Sequence, residues 1–170
     1  MQARDWTQLR RAEYAMPDEG AIAAFLSRAP YGYLATSLDD QPFLHVSLFW
    51  FDAPHRRIYF HGARTGRTLE NLQRNPRVCF SVAEIGRLIP AAHASDFENE
   101  YASVIAFGRA RLVEATEEKR AALQALLDKH FPDLRPGTDY QPVTEAELTR
   151  TNVYAVEIDA WSGKERWAPE

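Results

Sequence analysis

YGYLATSLDDQPFLHVSLFWFDAPHRRIYFHG, residues 31–62, holds three candidate strands in succession with only turns between them. YGYLATS (31–37) is aromatic-rich, and Asp39, Asp40 and Pro42 follow it as turn residues. FLHVSLFWFD (43–52) alternates as a long strand, with Phe43, His45, Ser47, Phe49 and Phe51 on one face and Leu44, Val46, Leu48 and Trp50 on the other. Ala53 to Arg56 makes a hairpin-sized turn, and RIYFHG (57–62) is the expected antiparallel partner of 43–52. No helix long enough for a parallel crossover interrupts the run. An antiparallel sheet curled into a small barrel is therefore expected, mainly β with helices at its rim.

Working outward, DEGAIAAFLSR (18–28) reads as a helix, with Ile22, Phe25, Leu26 and Ala29 at helical spacing and Pro30 as its stop. ARTGRTLENLQRN (63–75) reads as a loop entering a short helix, with Leu69 and Leu72 inward. RVCFSVAE (77–84) is a strand, 85–99 an aperiodic loop, and YASVIAFGRARLVE (101–114) a second long strand in which Gly108 signals a bulge or a close backbone approach. Residues 117–131 form the clearest helix, with Thr116 as its cap and Leu123, Leu126, Leu127 and Phe131 as its buried stripe. A short helical turn near 144–149 precedes the last strand, TNVYAVEIDAW (151–161). The expected sum is six strands in a single domain, 1–170, with its core at about 10–166.

Composition narrows the function classes. A net charge of −4 and a pI near 5.8 argue against a general nucleic-acid binder or a polybasic membrane binder. One cysteine, Cys79, excludes an intrachain disulfide framework and predicts a reducing, cytoplasmic compartment. The opening MQARDWTQLRRAEYAM lacks the apolar core of a secretory leader, so none is expected. The histidines, His45, His55, His61, His93 and His130, form no H-x-x-x-H or H-E-x-x-H pair, so no metal site is expected. Cys79 lies among apolar residues as a buried thiol would.

HGARTGRTLENL (61–72) carries the clearest chemical signal. It sets one His, two Gly, two Arg and two Thr between a strand end and a helix start. Unpaired N–H groups and partial positive charge at a helix N-terminus attract anions, and Arg64 and Arg67 add full charges. A phosphate-binding turn is one reading, and a solvated basic loop is the other. His45 and Ser47 interrupt an apolar strand face, either lining a ligand cleft, or satisfied by neighbouring groups, or facing solvent.

The order of these motifs, above all IYFHGA (58–63), NPRVCFSV (75–82) and SVIAFGRARLV (103–113), resembles the pyridoxamine 5′-phosphate oxidase-related FMN-binding split barrels. Within them it is similar to the nitroimidazole-resistance-protein-like branch, over roughly residues 10–166. The resemblance implies a six-stranded antiparallel split barrel that dimerises, with FMN at the subunit interface. His45, Val46, Ser47 and Leu48 would then lie along the isoalloxazine, offering backbone groups. His61, Gly62 and Ala63 would border the ring or ribityl chain, and Arg67 and Thr68, with Arg64 nearby, would hold the phosphate. Ser103 would sit close to the phosphate or ribityl chain, while Trp161 and Lys164 would reach the cleft from the other subunit. Thr68 stands where many relatives carry a basic residue, and Ser47 where many carry proline. The implied activity is electron transfer from a nicotinamide donor to a small acceptor such as a nitroaromatic, with His61 as proton carrier. The alternatives are a non-catalytic flavin-binding or redox-sensing module, or a split barrel binding haem or a deazaflavin.

Overall fold

Asp39 and Asp40 both take positive φ, 50° and 60°, the type I′ geometry that suits a two-residue hairpin. They join β1 (Tyr31–Leu38) to β2 (Gln41–Leu48), paired from Tyr31 opposite Leu48 to Leu38 opposite Gln41. The structure, a computed structural model, describes residues 5–168. Here it corrects the expectation of one strand over 43–52. β2 stops at Leu48, Phe49 is fully buried against Phe80 with ring centroids 5.0 Å apart, and β3 (Trp50–Asp52) resumes beyond it. β3 pairs with β4 (Arg57–Gly62) while β2 pairs with β1, so one apolar run serves two strands.

The remaining strands are β5 (Arg77–Ile89), β6 (Glu98–Leu112) and β7 (Asn152–Arg166). The order in the sheet is β2-β1-β5-β6-β7-β4-β3, antiparallel throughout, which makes seven strands rather than six. Of residues 85–99, expected as a loop, 85–89 continue β5 and 98–99 begin β6, forming a hairpin arm whose connection holds a 3-10 turn at Ala94–Asp96. The arm has no apolar alternation because it is held by charge. The buried Glu100 carboxylate accepts hydrogen bonds from Arg87 N, Nε and Nη2 and from Ala168 N, and the Arg87 side chain leads in pulling its pKa down to about 2. Gly108 marks a bulge, since the register jumps from Phe107–Ala160 to Gly108–Ile158. A side chain at Gly108 would meet the Glu157 carbonyl at 2.0 Å.

Alternation sends Leu34, Phe80, Val82, Val104, Ala106 and Val156 into the barrel. The helix α1 (Glu19–Arg28), capped by Asp18 accepting from Ala21 N at 2.8 Å, adds Ile22, Phe25 and Leu26 to that core. A second helix, α2 (Arg67–Arg74), follows β4. The long helix α3 (Thr116–His130) covers Tyr59, Val153 and Ala155 on the outside of β4 and β7. Thr116 is its first residue rather than its cap, and Phe131 falls beyond its end and is exposed. The short α4 (Glu145–Arg150) starts with a capping box between Thr144 and Glu147. On the outer face of β2, Leu44, Val46 and Leu48 remain 57%, 53% and 44% exposed.

At the end of α3, Lys129 Nζ sits 3.8 Å from the Phe49 ring centroid, buried and without a hydrogen-bond acceptor. Burial pushes its pKa from 10.5 down to about 8. Below pH 8 both folded and unfolded chains carry the proton, and the fold bears the full desolvation cost. Between about 8 and 10.5 only the unfolded chain does, so the cost fades as pH rises. Lys129→Met is therefore expected to raise the thermal midpoint at pH 7, with the gain shrinking toward pH 10. Paired melting curves across that range test this, and a pH-independent difference would refute it.

Candidate functional site

β4 leaves the barrel at Gly62, and after four intervening residues α2 begins at Arg67. Its N-cap, Gly66, has φ 125° and ψ 171°, a region open essentially to glycine alone, and offers no side chain to cap the helix. Among the described residues, nothing beyond its own chain neighbours lies within 4 Å of where a Cβ would stand. The first turn of α2 thus presents partial positive charge to open space. Arg67 is exposed and has no carboxylate partner among the described residues, and its guanidinium lies 5.2 Å from the Phe43 ring centroid.

Thr68 Oγ1 is 3.1 Å from His45 Nδ1, and the His45 ring meets Phe60 edge-on at 6.0 Å. Burial first, and then the nearby His61, lowers the His45 pKa below its ordinary 6.5, so the imidazole is neutral at pH 7. Asn71 Nδ2 donates to Thr36 Oγ1 at 2.8 Å and ties α2 to β1. Asn152 Nδ2 donates to the Ala63 carbonyl at 3.1 Å and ties the turn to β7. Thr36, Phe43, Asn71 and Asn152 were not among the expected site residues. The only local signal for them is polarity inside apolar runs, at Thr36 and Asn152.

The expected residues fall into separate groups. His45 and Ser47 are half-buried on the inner face of β2, while Val46 and Leu48 point outward. β2 is an edge strand paired only with β1, so its other edge carries backbone groups outside any ladder. Arg64 parts from Arg67, since its Nη1 donates to the Thr149 carbonyl at the end of α4 at 2.8 Å. His61 faces away from the barrel interior that Phe60 occupies, into a cavity of about 340 Å³ beside Leu123, Leu126, Leu127, Val143 and Arg150. Ser103 and Lys164 are brought opposite one another on β6 and β7. Lys164 stands eleven residues along β7 from Val153, the partner of His61, or roughly 35 Å of strand. Trp161 belongs to that far end as well, where its Nε1 donates to Glu19 at 3.3 Å and Arg56 lies over its ring at 4.1 Å.

The pyridoxamine 5′-phosphate oxidase family matches residues 18–165, and the chain belongs to it. The fold is the split barrel of that family. Among solved structures, the flavocytochrome Anf3 from Azotobacter vinelandii superimposes with a TM-score of 0.81 at 27% identity, covering 98% of this chain and 76% of that one. The FAD and heme binding protein from Mycobacterium smegmatis gives 0.78 at 23% identity over 92% of this chain and 76% of that one. A candidate 5-nitroimidazole antibiotic resistance protein from Bacteroides thetaiotaomicron gives 0.73 at 22% over 89% and 86%. The last two likenesses speak for the fold alone. No curated protein matches the chain. No helix among the described residues is long and apolar enough to cross a membrane.

Because Gly66 occupies a region closed to asparagine as well as alanine, Gly66→Ala and Gly66→Asn are both expected to destabilise the chain by about 1–3 kcal/mol. Chemical denaturation measures this, and rescue by asparagine would contradict it.

Proposed function

We propose that the protein binds a flavin through its phosphate at the Gly62–Thr68 turn, in a homodimer whose second chain completes the cleft. The observation that carries this reading is the uncapped start of α2 with an unpaired Arg67 beside the aromatic strand of Phe43 and His45. Family membership supports it, as does the flavocytochrome description of the Azotobacter vinelandii relative. One turn with one free guanidinium suits a single phosphate monoester, so FMN is the flavin proposed. Two features favour the dimer. Leu44, Val46 and Leu48 expose an apolar stripe, and the Ser103–Lys164 pair stands roughly 35 Å of strand from Val153, the partner of His61.

A bound flavin supplies electron transfer, here from a nicotinamide donor to a small acceptor such as a nitroaromatic. The chain's residues bind and orient. Arg67 and the first amides of α2 hold the phosphate, Thr68 fixes the neutral His45, and the free edge of β2 offers backbone groups to the ring. His61 is the proton carrier in this reading, and the single Cys79 suits a cytoplasmic protein.

A second reading has its own observation. One imidazole, His61, opens onto a cavity walled by Leu123, Leu126, Leu127 and Val143 on its apolar side and by Gln141, Glu147 and Arg150 on its polar side. His61, the leucine side chains and Arg150, which lies 3.6 Å from Glu147, would hold a haem there, and the haem would supply one-electron chemistry. His61 would then be a ligand rather than a proton carrier.

Fluorescence titration of flavin-free protein tests the first reading. FMN is expected to bind at least about tenfold more tightly than riboflavin, and Arg67→Ala to lose about one to two orders of magnitude in FMN affinity, or roughly 1.5–3 kcal/mol. Light scattering on the same samples is expected to give a dimer mass. Equal affinity for FMN and riboflavin would remove the phosphate assignment, and tighter binding of FAD would make the dinucleotide the occupant. Hemin titration tests the second reading. A Soret band that His61→Ala abolishes, with FMN affinity unchanged, supports haem at His61, and an unaltered spectrum in that variant rejects it.

A further inference from the structure

A groove on the outer face of the barrel, distinct from the cavity that His61 lines, gathers two arginines and two aromatic rings. Arg77 on β5 and Arg109 on β6 are directly opposite one another in register, and both are exposed. Like charges placed opposite on one sheet face repel and lower stability. Neither guanidinium has a hydrogen bond or ion pair among the described residues. The carboxylate next across the sheet, Glu157, is already engaged by Arg57 at 2.6 Å and Arg111 at 3.2 Å.

Beside this pair the surface is aromatic. Trp6 lies against Phe107 with ring centroids 6.4 Å apart, inclined at 45°. Trp6, Phe107, Cys79 and Pro42 join Arg77 and Arg109 around a cavity of about 520 Å³, within the range of roughly 300–1,000 Å³ typical of small-molecule sites. Asp159, the extra residue of the bulge, is the one carboxylate on its wall among the described residues, where two cations face one anion.

We propose that this groove binds a flat aromatic anion, its ring against Trp6 and Phe107 and its carboxylate or phosphate in the Arg77–Arg109 fork. Guanidinium groups suit this class because they bond planar anions through paired N–H groups and stack on aromatic faces. Asp159 favours ligands that also carry a hydrogen-bond donor. A bound anion removes the repulsion between the arginines. The inference is independent of the flavin reading, because none of these residues belongs to the Gly62–Thr68 turn.

The test titrates the full chain, loaded with FMN where it binds, with 2-naphthoate, 2-naphthamide and adenosine 5′-monophosphate, followed by calorimetry. Naphthoate is expected to bind saturably and at least about tenfold more tightly than the amide. Arg77→Gln with Arg109→Gln is expected to erase that preference while leaving amide binding and FMN affinity unchanged. The double variant is also expected to melt no lower than the parent, because a repulsion is removed. The tighter of naphthoate and the nucleotide identifies the head group. Equal binding of naphthoate and amide, no saturation by roughly 1 mM, or a preference that survives the double substitution overturns the proposal. A double variant that changes the oligomeric mass also overturns it, since a second copy of the chain would then be covering the groove.

Discussion

The architecture turns on the burial of Phe49. Its ring packs edge-on against Phe80 inside the barrel, its carbonyl accepts from His130 Nε2 at 3.2 Å, and Lys129 sits on the ring. β2 and β3 separate at this residue. Without a fixed point there, nothing would stop 43–52 from running on as one strand. A single strand could not pair with β1 at one edge of the sheet and with β4 at the other. The split in the barrel and the docking of the end of α3 are consequences of where one aromatic ring is placed.

The candidate phosphate turn depends on that split. β2 is left with a free edge, and α2 is held beside it by contacts from three directions. Asn71 reaches Thr36 on β1, Thr68 reaches His45 on β2, and Asn152 on β7 holds the Ala63 carbonyl. Buried polar groups need partners, and these partners come from strands distant in sequence. The result is a frame around a turn whose helix start has no side-chain cap and whose Arg67 has no carboxylate partner among the described residues.

Much of this is legible in sequence where one face of an element is apolar. The stripe of α1 and, apart from Phe131, that of α3 follow from residue spacing, and the basic turn at 61–68 shows in its composition. The division at Phe49 does not, because the alternation of 43–52 passes through it unbroken. The β5–β6 arm escapes notice because the Arg87–Glu100 pair, rather than an apolar face, holds it. Asn71 and Thr36 are 35 residues apart, and neither position announces the other. Arg64 and Arg67 look alike in sequence, but only the structure sends Arg64 to the end of α4.

The bulge at Asp159 also sets the phase of β7. Before it, Tyr154 and Val156 enter the barrel while Val153 and Ala155 face α3. After it the parity reverses, so that Trp161 packs toward the core and Gly163 lies against Met16 and Ile22. Lys164, on the even phase, is thereby kept out of the interior. Had β7 kept one phase from end to end, its ammonium would be directed into hydrocarbon and the indole of Trp161 into water. A single backbone residue thus acts as a parity switch, and any alignment that slides across Asp159 without a gap assigns every later side chain of the strand to the wrong surface.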